Sequence, residues 1–320
     1  MTTKTIKPSG GDYTTLSAWQ ASLSSPLAAP QQADIYNFGS GGLIEGNGVS
    51  FNGMVTDATN KIILNVPVGE RHTGVAHSGA YITNGAGSVF TTLRFGSCDY
   101  YEIAWLEVEA LNAQSAIAVG TTSSGANQAY AHHCIVHNNG ANNWNVTSGN
   151  GIHIWRNNFI YTNSSGRMCD SRGCASIEVS ACTFLSQSAD FNFLGDTAAT
   201  VKNSYSGGAS SGCWQNSGSM TGNNNASSDT SATTIFTSSL ASKAASAVLA
   251  NSTGGSEDLT LKTGTNDLVD AGVTQAAITD DIIGTSRPQG STPDIGGFER
   301  ASGGGGGSAA PLRGLMGVGR

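Results

Sequence analysis

Apolar and polar positions alternate along this chain in many short runs. "ADIYNF", "KIILNV" and "VFTTLRF" are strand-length, and turn-forming segments such as "GSGG", "NGVS" and "NGAGS" separate them. One early segment has a different period. In "TTLSAWQASL", Leu16, Trp19 and Leu23 fall at i, i+3 and i+7, which predicts a helix over residues 14–23 with one apolar face. Pro26 and Pro30 end it.

The middle of the chain repeats itself in "YEIAWLEVEA", "AYAHHCIVHN", "GIHIWRNNFIYTN", "ASIEVSACTFLSQ" and "AATVKNSYSG". The anchors Leu106, Cys134, Asn157, Cys182 and Asn203 are each followed two places on by Val108, Val136, Phe159, Phe184 or Tyr205. They recur at roughly two dozen residues, the spacing of a strand-rich solenoid. The predicted fold is all-β, a parallel β-helix in which equivalent residues stack at about 4.8 Å. Val136, Phe159 and Phe184 are expected in one inward stack. Cys134 with Cys182, and Asn157 with Asn203, are expected as rungs of one inward column. The cysteines read as small buried hydrophobes and the asparagines as a hydrogen-bonded ladder at a turn. The helix is expected to cap the first coil, since an open solenoid end exposes sheet edge and core. Between residues 211 and 250 the repeat fades, and "TSSLASKAASAVLA" reads as a last irregular coil or a short helix. The chain thus divides into an N-terminal cap (1–32), a β-helix domain (33–300) and a Gly-rich linker with a docking peptide (301–320).

Composition narrows the function classes. Charged residues are 12% of the chain, against about 25% in average soluble proteins. This disfavours a helical enzyme, whose helices need charged coats. A net charge of −7 leaves no basic field for nucleic acid. No apolar run is long enough to span a membrane. The opening "MTTKTIKPSGGDY" has no apolar core of a secretory signal, so synthesis in a cytoplasm is expected, with the 6 cysteines reduced.

Several segments are similar to a known group. "TIKPSGGDYTTLSAWQ", "TDATNKIIL", "GERHTG" and "VDAGVTQAAITDDIIGTSRPQGSTPDIGGFER" resemble right-handed parallel β-helix proteins of bacterial viruses and related metagenomic sequences. Their wider superfamily includes pectate-lyase-like enzymes and tailspikes. The resemblance covers roughly residues 3–300, and its most specific pieces lie at the two ends of the solenoid. It implies a tailspike-like virion structural protein, a decoration on the exterior of a phage capsid or tail. Such a protein would be made in the host cytoplasm, form a homotrimer and contact host-surface polysaccharide. The alternative it implies is a polysaccharide depolymerase, a lyase or hydrolase on the same fold.

Candidate chemistry is sparse. Glu107 and Glu109 flank Val108 and so face outward on one strand. Hydrolases on this fold need two carboxylates across a groove, and lyases of the fold use acids to hold calcium and a base to take the proton. Asp170, Arg172, Glu178 and Asp190 are the candidates for one such face; the other expectation for them is scattered solvated charge. His132, His133 and His137 lie on one coil and His153 on the next, but no carboxylate or cysteine stands beside them at a ligand spacing, so no metal is expected. Cys169 and Cys174 in "CDSRGC" have no second pair to complete a zinc site. No phosphate-binding loop appears, so no cofactor is expected. The tail "SGGGGGSAAPLRGLMGVGR" is expected to attach the rod to a capsid, cement or tail protein. Leu312, Leu315, Met316 and Val318 would be its apolar anchors, and Arg313 and Arg320 would pair with carboxylates.

Overall fold

A computed structural model gives the structure of the chain. It describes residues 1–85, 91–96, 98–111, 115–120, 128–138, 142–148, 151–162, 167–170, 175–187, 191–195, 198–209, 211–216 and 219–301. The docking peptide and its linker therefore lie outside the described residues, as do Arg172, Cys174 and Asp190.

Three parallel sheets wrap one core. The chain passes from a nine-stranded sheet to an eight-stranded sheet to a seven-stranded sheet and back, once per coil. The nine-stranded sheet runs from Thr2–Ile6 through Gln128–His132, Ile152–Arg156, Ser176–Ser180 and Ala198–Lys202 to Ser219–Asn223. The eight-stranded sheet includes Tyr81–Thr83, Glu107–Ala110, Ile135–Asn138, Phe159–Thr162, Thr183–Ser186 and Tyr205–Gly207. Apolar residues face the lumen in register, as in Leu64, Ile103, Ala131, Trp155, Val179 and Val201. His153 is also in a lumen column, between Ala129 and Ile177, and not outside with the other histidines. It is fully buried with neither ring nitrogen hydrogen-bonded, and burial pushes its pKa down to about 4.

At the first coil the helix Leu16–Ala21 buries Leu16 and Trp19. Thr15 caps it by accepting from the Ala18 amide, and the buried Glu45 carboxylate accepts from the amides of Leu16 and Ser17. Trp19 lies edge-on to Phe51 at 6.1 Å, and Phe51 and Phe95 continue an aromatic stack to Tyr101. The last coil ends on a second short helix, Ser231–Ile235, beside which Phe236 packs edge-on to Trp214 at 5.6 Å. The fading repeat thus resolves into a final coil, followed by the single helical turn Ala245–Val248.

The register differs from the expected one at two coils. Phe159 pairs with Ile135 and Thr183, whereas Val136 stacks on Ile160 and then Phe184. Val136, Phe159 and Phe184 therefore do not form one column. Cys134 and Cys182 are equivalent, and the residue between them is Asn158, whose side chain accepts from the Cys134 amide and donates to the Ala131 carbonyl. Asn157 and Asn203 belong one position earlier, to a turn column of Trp105, His133, Asn157, Ala181, Asn203 and Asn224, all with φ between 49° and 63°. Asparagine tolerates this left-handed conformation better than most residues, which is why it recurs there. The side chains of Asn157, Asn203 and Asn224 point out of the lumen, donating to the carbonyls of Asp280, Val273 and Ala271.

These contacts mark the other departure. Strands of the coil begin at residue 2, not 33, and residues from about 244 to 300 make no coil. They turn back over the outer face of the eight-stranded sheet. Ile135, Phe159, Tyr161, Leu185 and Tyr205 there form a second core with Leu249, Leu259, Leu261, Leu268, Ile282 and Ile295. The segment "TSRPQGSTPDIGGFER" is the knot of this strap. Arg287, almost fully buried, donates to the carbonyls of Asp294 and Gly296 and lies 3.7 Å from Glu299. Glu299 in turn accepts from the amides of Gln289 and Asp294. Gly297 lies against the sheet so closely that a Cβ there would stand 2.8 Å from Phe159 Cε1. The most specific part of the sequence resemblance is therefore a packing device.

Candidate functional sites

Among the described residues two surfaces carry chemistry, one on the outer face of the eight-stranded sheet and one on that of the nine-stranded sheet. The first is a cleft of about 420 Å³ at the edge of the strap. Glu109, His137 and Tyr161 are register partners on three successive strands of the eight-stranded sheet, so their side chains stack outward one coil apart. Glu107, two residues before Glu109, shares that face. The turn before Tyr81 supplies His77, whose φ of 59° swings its ring over the same strands. Gly255, Ser256, Glu257 and Asp258 of the strap form the facing wall. Glu107 and Glu109 do face away from the lumen, yet both are buried, because the turn and the strap cover them.

The hydrogen bonds set the proton positions. Glu107 accepts the His77 amide at 2.7 Å and lies 2.7 Å from His137 Nε2. A carboxylate so placed accepts from Nε2–H and turns the Nδ1 edge of the ring toward Glu109. That nitrogen faces Glu109 Oε1 at 3.9 Å, and His77 Nε2 lies 3.6 Å from the same oxygen. The hydrogen bond to Glu109 raises the pKa of His77 above the ordinary value. Glu109 is lowered: burial works against this, but His77 and the nearby His137 outweigh it. Tyr161 stacks flat on the His137 ring at 4.9 Å, and burial raises its hydroxyl pKa. His77, Glu109 and His137 offer ligand atoms all within 4.8 Å of one another.

The second surface is a groove of about 600 Å³ on the open face of the nine-stranded sheet. It crosses three coils and is lined by Ile152, Ile154, Arg156, Glu178, Thr200 and Lys202, with Gln275 of the strap at its side. Arg156 Nη2 pairs with Glu178 Oε1 at 2.9 Å. The Gln275 side-chain oxygen accepts from Ser180, and its amide nitrogen has no partner.

Of the four residues expected to share one face, Glu178 is in this groove. Asp170 lies on a strand of the seven-stranded sheet, and Arg172 and Asp190 are outside the described residues. The histidines separate as well. His132 stays on the open face beside Glu102 at 3.4 Å, and His133 stacks on Trp105 at 4.1 Å and reaches Asp280. Of the four histidines singled out in the sequence, His137 enters the cleft. Its carboxylate partner was missed because ligand spacing was sought along the chain. In a solenoid the repeat length is the ligand spacing, and Glu109 precedes His137 by the same interval as Leu106 precedes Cys134. His77 had no sequence signal beyond its place in "GERHTGVAH".

The three-sheet register defines the chain as a parallel β-helix protein whose eight-stranded face is strapped and whose nine-stranded face is open. No protein-family model and no curated protein matches it. Among solved structures it is similar to the crystal structure of pectate lyase Pel9A, at 13% identity and a TM-score of 0.34, covering 93% of this chain and 96% of that one. The strand register, not this distant likeness, establishes the fold. No helix among the described residues is long and apolar enough to cross a membrane.

Proposed function

We propose that this chain binds an extended polysaccharide along the groove of the nine-stranded sheet. The observation that carries this reading is the groove lining across three coils. Ile152 and Ile154 offer apolar area to sugar C–H faces, and Ile152 is 38% exposed. Arg156, Lys202 and Thr200 offer donors to hydroxyl and carboxylate oxygens. The coil rise of about 4.8 Å is close to one sugar unit of an extended chain, so each coil can meet one unit. Hydrolysis needs two carboxylates. The groove lining holds one among the described residues, Glu178, and it is tied to Arg156. Binding is therefore favoured over cleavage at this face. The setting on a phage particle is supported by the resemblance of the opening and closing segments alone.

Affinity electrophoresis through gels containing an acidic polysaccharide such as polygalacturonate or alginate, or a neutral glucan, tests the reading. At least one polymer should retard the protein, and Arg156→Ala or Lys202→Ala should abolish retardation while Lys4→Ala leaves it. If every polymer in the panel leaves wild-type mobility unchanged, the reading fails.

A further inference from the structure

The strapped-face cleft is organised differently from a sugar groove, and the reason lies in its charge balance. Glu107, Glu109 and Glu257 converge on it, all with little exposure. Against them stand two imidazoles. Glu107 accepts from His137 Nε2–H, so the Nδ1 edge of the ring faces a carboxylate oxygen 3.9 Å away. A divalent cation placed between them would meet both atoms. His77 Nε2 adds a third donor atom on the same side. An independent observation comes from the opposite wall. Glu257 is 7% exposed, and its Oε1 is buried without any hydrogen-bond partner. A buried carboxylate oxygen left unpaired costs free energy until a donor or a cation meets it, and a cation in the cleft would do so.

We propose that His77, Glu109 and His137 bind one divalent transition-metal ion of the zinc class, with Glu257 facing its remaining position. The donor set decides the class. Two imidazole nitrogens and a carboxylate suit zinc, cobalt or nickel, whereas calcium and magnesium take oxygen ligands. Glu107 is the positioning residue. By accepting from His137 Nε2 it fixes the tautomer that turns Nδ1 to the ion, the carboxylate–histidine–metal arrangement of bound sites. Tyr161, flat on His137, and Tyr81, 4.4 Å from the His77 ring, limit how far the two ligands can turn. The ligand atoms, within 4.8 Å of each other, need only side-chain rotation to close on an ion with bonds of about 2.0–2.2 Å. Such an ion would join the turn at residue 77, two coils of the eight-stranded sheet and the strap at residue 257. It would thus pin the strap to the rod.

The test uses tag-free full-length protein stripped with EDTA and dialysed, then titrated with zinc sulfate or cobalt chloride. The expected result is one equivalent of saturable binding at micromolar metal. It should bring a visible cobalt absorption band of a four- or five-coordinate nitrogen–oxygen site and a rise of several degrees in melting temperature. His77→Ala removes a partly exposed ring and leaves the metal-free protein folded, its own metal-free melting temperature serving as the baseline. It should weaken binding at least tenfold and abolish the melting shift. Glu109→Gln should do the same, Glu257→Gln should weaken binding several-fold, and His132→Ala should bind as wild type. Absence of saturable binding to the wild type, or binding that His77→Ala and Glu109→Gln leave intact, overturns the proposal. The outcome is separable from the groove reading, because EDTA-stripped protein should still bind polysaccharide.

Discussion

The outer faces of the nine-stranded and eight-stranded sheets are built from the same coils with the same alternation, yet they have opposite fates. On the nine-stranded sheet, Tyr130, Arg156, Glu178 and Lys202 remain partly exposed, and Arg156 pairs with Glu178 across rungs. Glu102 there is held down to about 2 by His132 and Lys61. On the eight-stranded sheet, Ile135, Phe159, Leu185 and Tyr205 point outward just as regularly but meet the strap, not water. The alternation of a strand tells which side chains leave the lumen. It does not tell what they meet afterwards. The cost of desolvating outward side chains then falls on the strapped face, which holds a second apolar core and the buried Glu107, Glu109 and His137.

The largest expected effect tests whether the strap is integral to stability. Phe159→Ala should cost about 3–5 kcal/mol in urea unfolding, the range for a fully buried aromatic. A loss no greater than that of an open-face truncation would mean that the strap lies on the rod without stabilising it. The next effect concerns acid. His153 is neutral in the lumen with a folded pKa of about 4 against 6.5 unfolded, so protons bind the unfolded state first. Its stabilising contribution is complete above pH 6.5 and is lost as pH falls toward 4, by about 3 kcal/mol in all. Burial lowers His72 and His133 in the same sense, whereas His77 acts oppositely. Melting curves of His153→Leu between pH 7 and 4 should therefore be flatter than those of the wild type, and equal slopes would rule this out.

Gly297→Ala forces a methyl to within 2.8 Å of Phe159 Cε1 and should cost about 1–3 kcal/mol by overpacking. A neutral result in thermal melting would show that the strap yields there. The smallest stability effect belongs to the open face. Arg156→Ala breaks a partly solvated ion pair and should change stability by less than about 1 kcal/mol, while removing polysaccharide retardation. If it destabilises as much as Phe159→Ala, the two faces are not different in kind.

Much of the solenoid was legible. The recurrence near Leu106, Cys134 and Cys182 located the coils, and Leu16 and Trp19 located the helix. The misplaced rungs have a specific cause. Asn157 and Asn203 resemble an anchor because asparagine recurs at the left-handed turn position, one residue before the position that Cys134 and Cys182 occupy. Matching by residue type shifted Phe159 into the wrong column. The cleft was half legible: the interval between Glu109 and His137 is one coil, a relation present in the repeat itself. His77 and Glu257 were not, since nothing local ties a turn and a strap to those strands.

The sequence by itself determined the coil. Period-two alternation, turn residues between runs and a repeat of about two dozen residues are local properties, and the backbone obeys them wherever the rest of the chain goes. It also determined that Glu107, Glu109 and His137 would leave the lumen. Only the tertiary structure decided that they would be buried, because the cover comes from the earlier turn at His77 and from strap residues more than a hundred positions later. The strap chooses the eight-stranded face, where the turn column of Asn157, Asn203 and Asn224 offers side-chain amides to its carbonyls and Phe159 offers an apolar floor. Burial is a property of two surfaces meeting, and a strand pattern describes one of them.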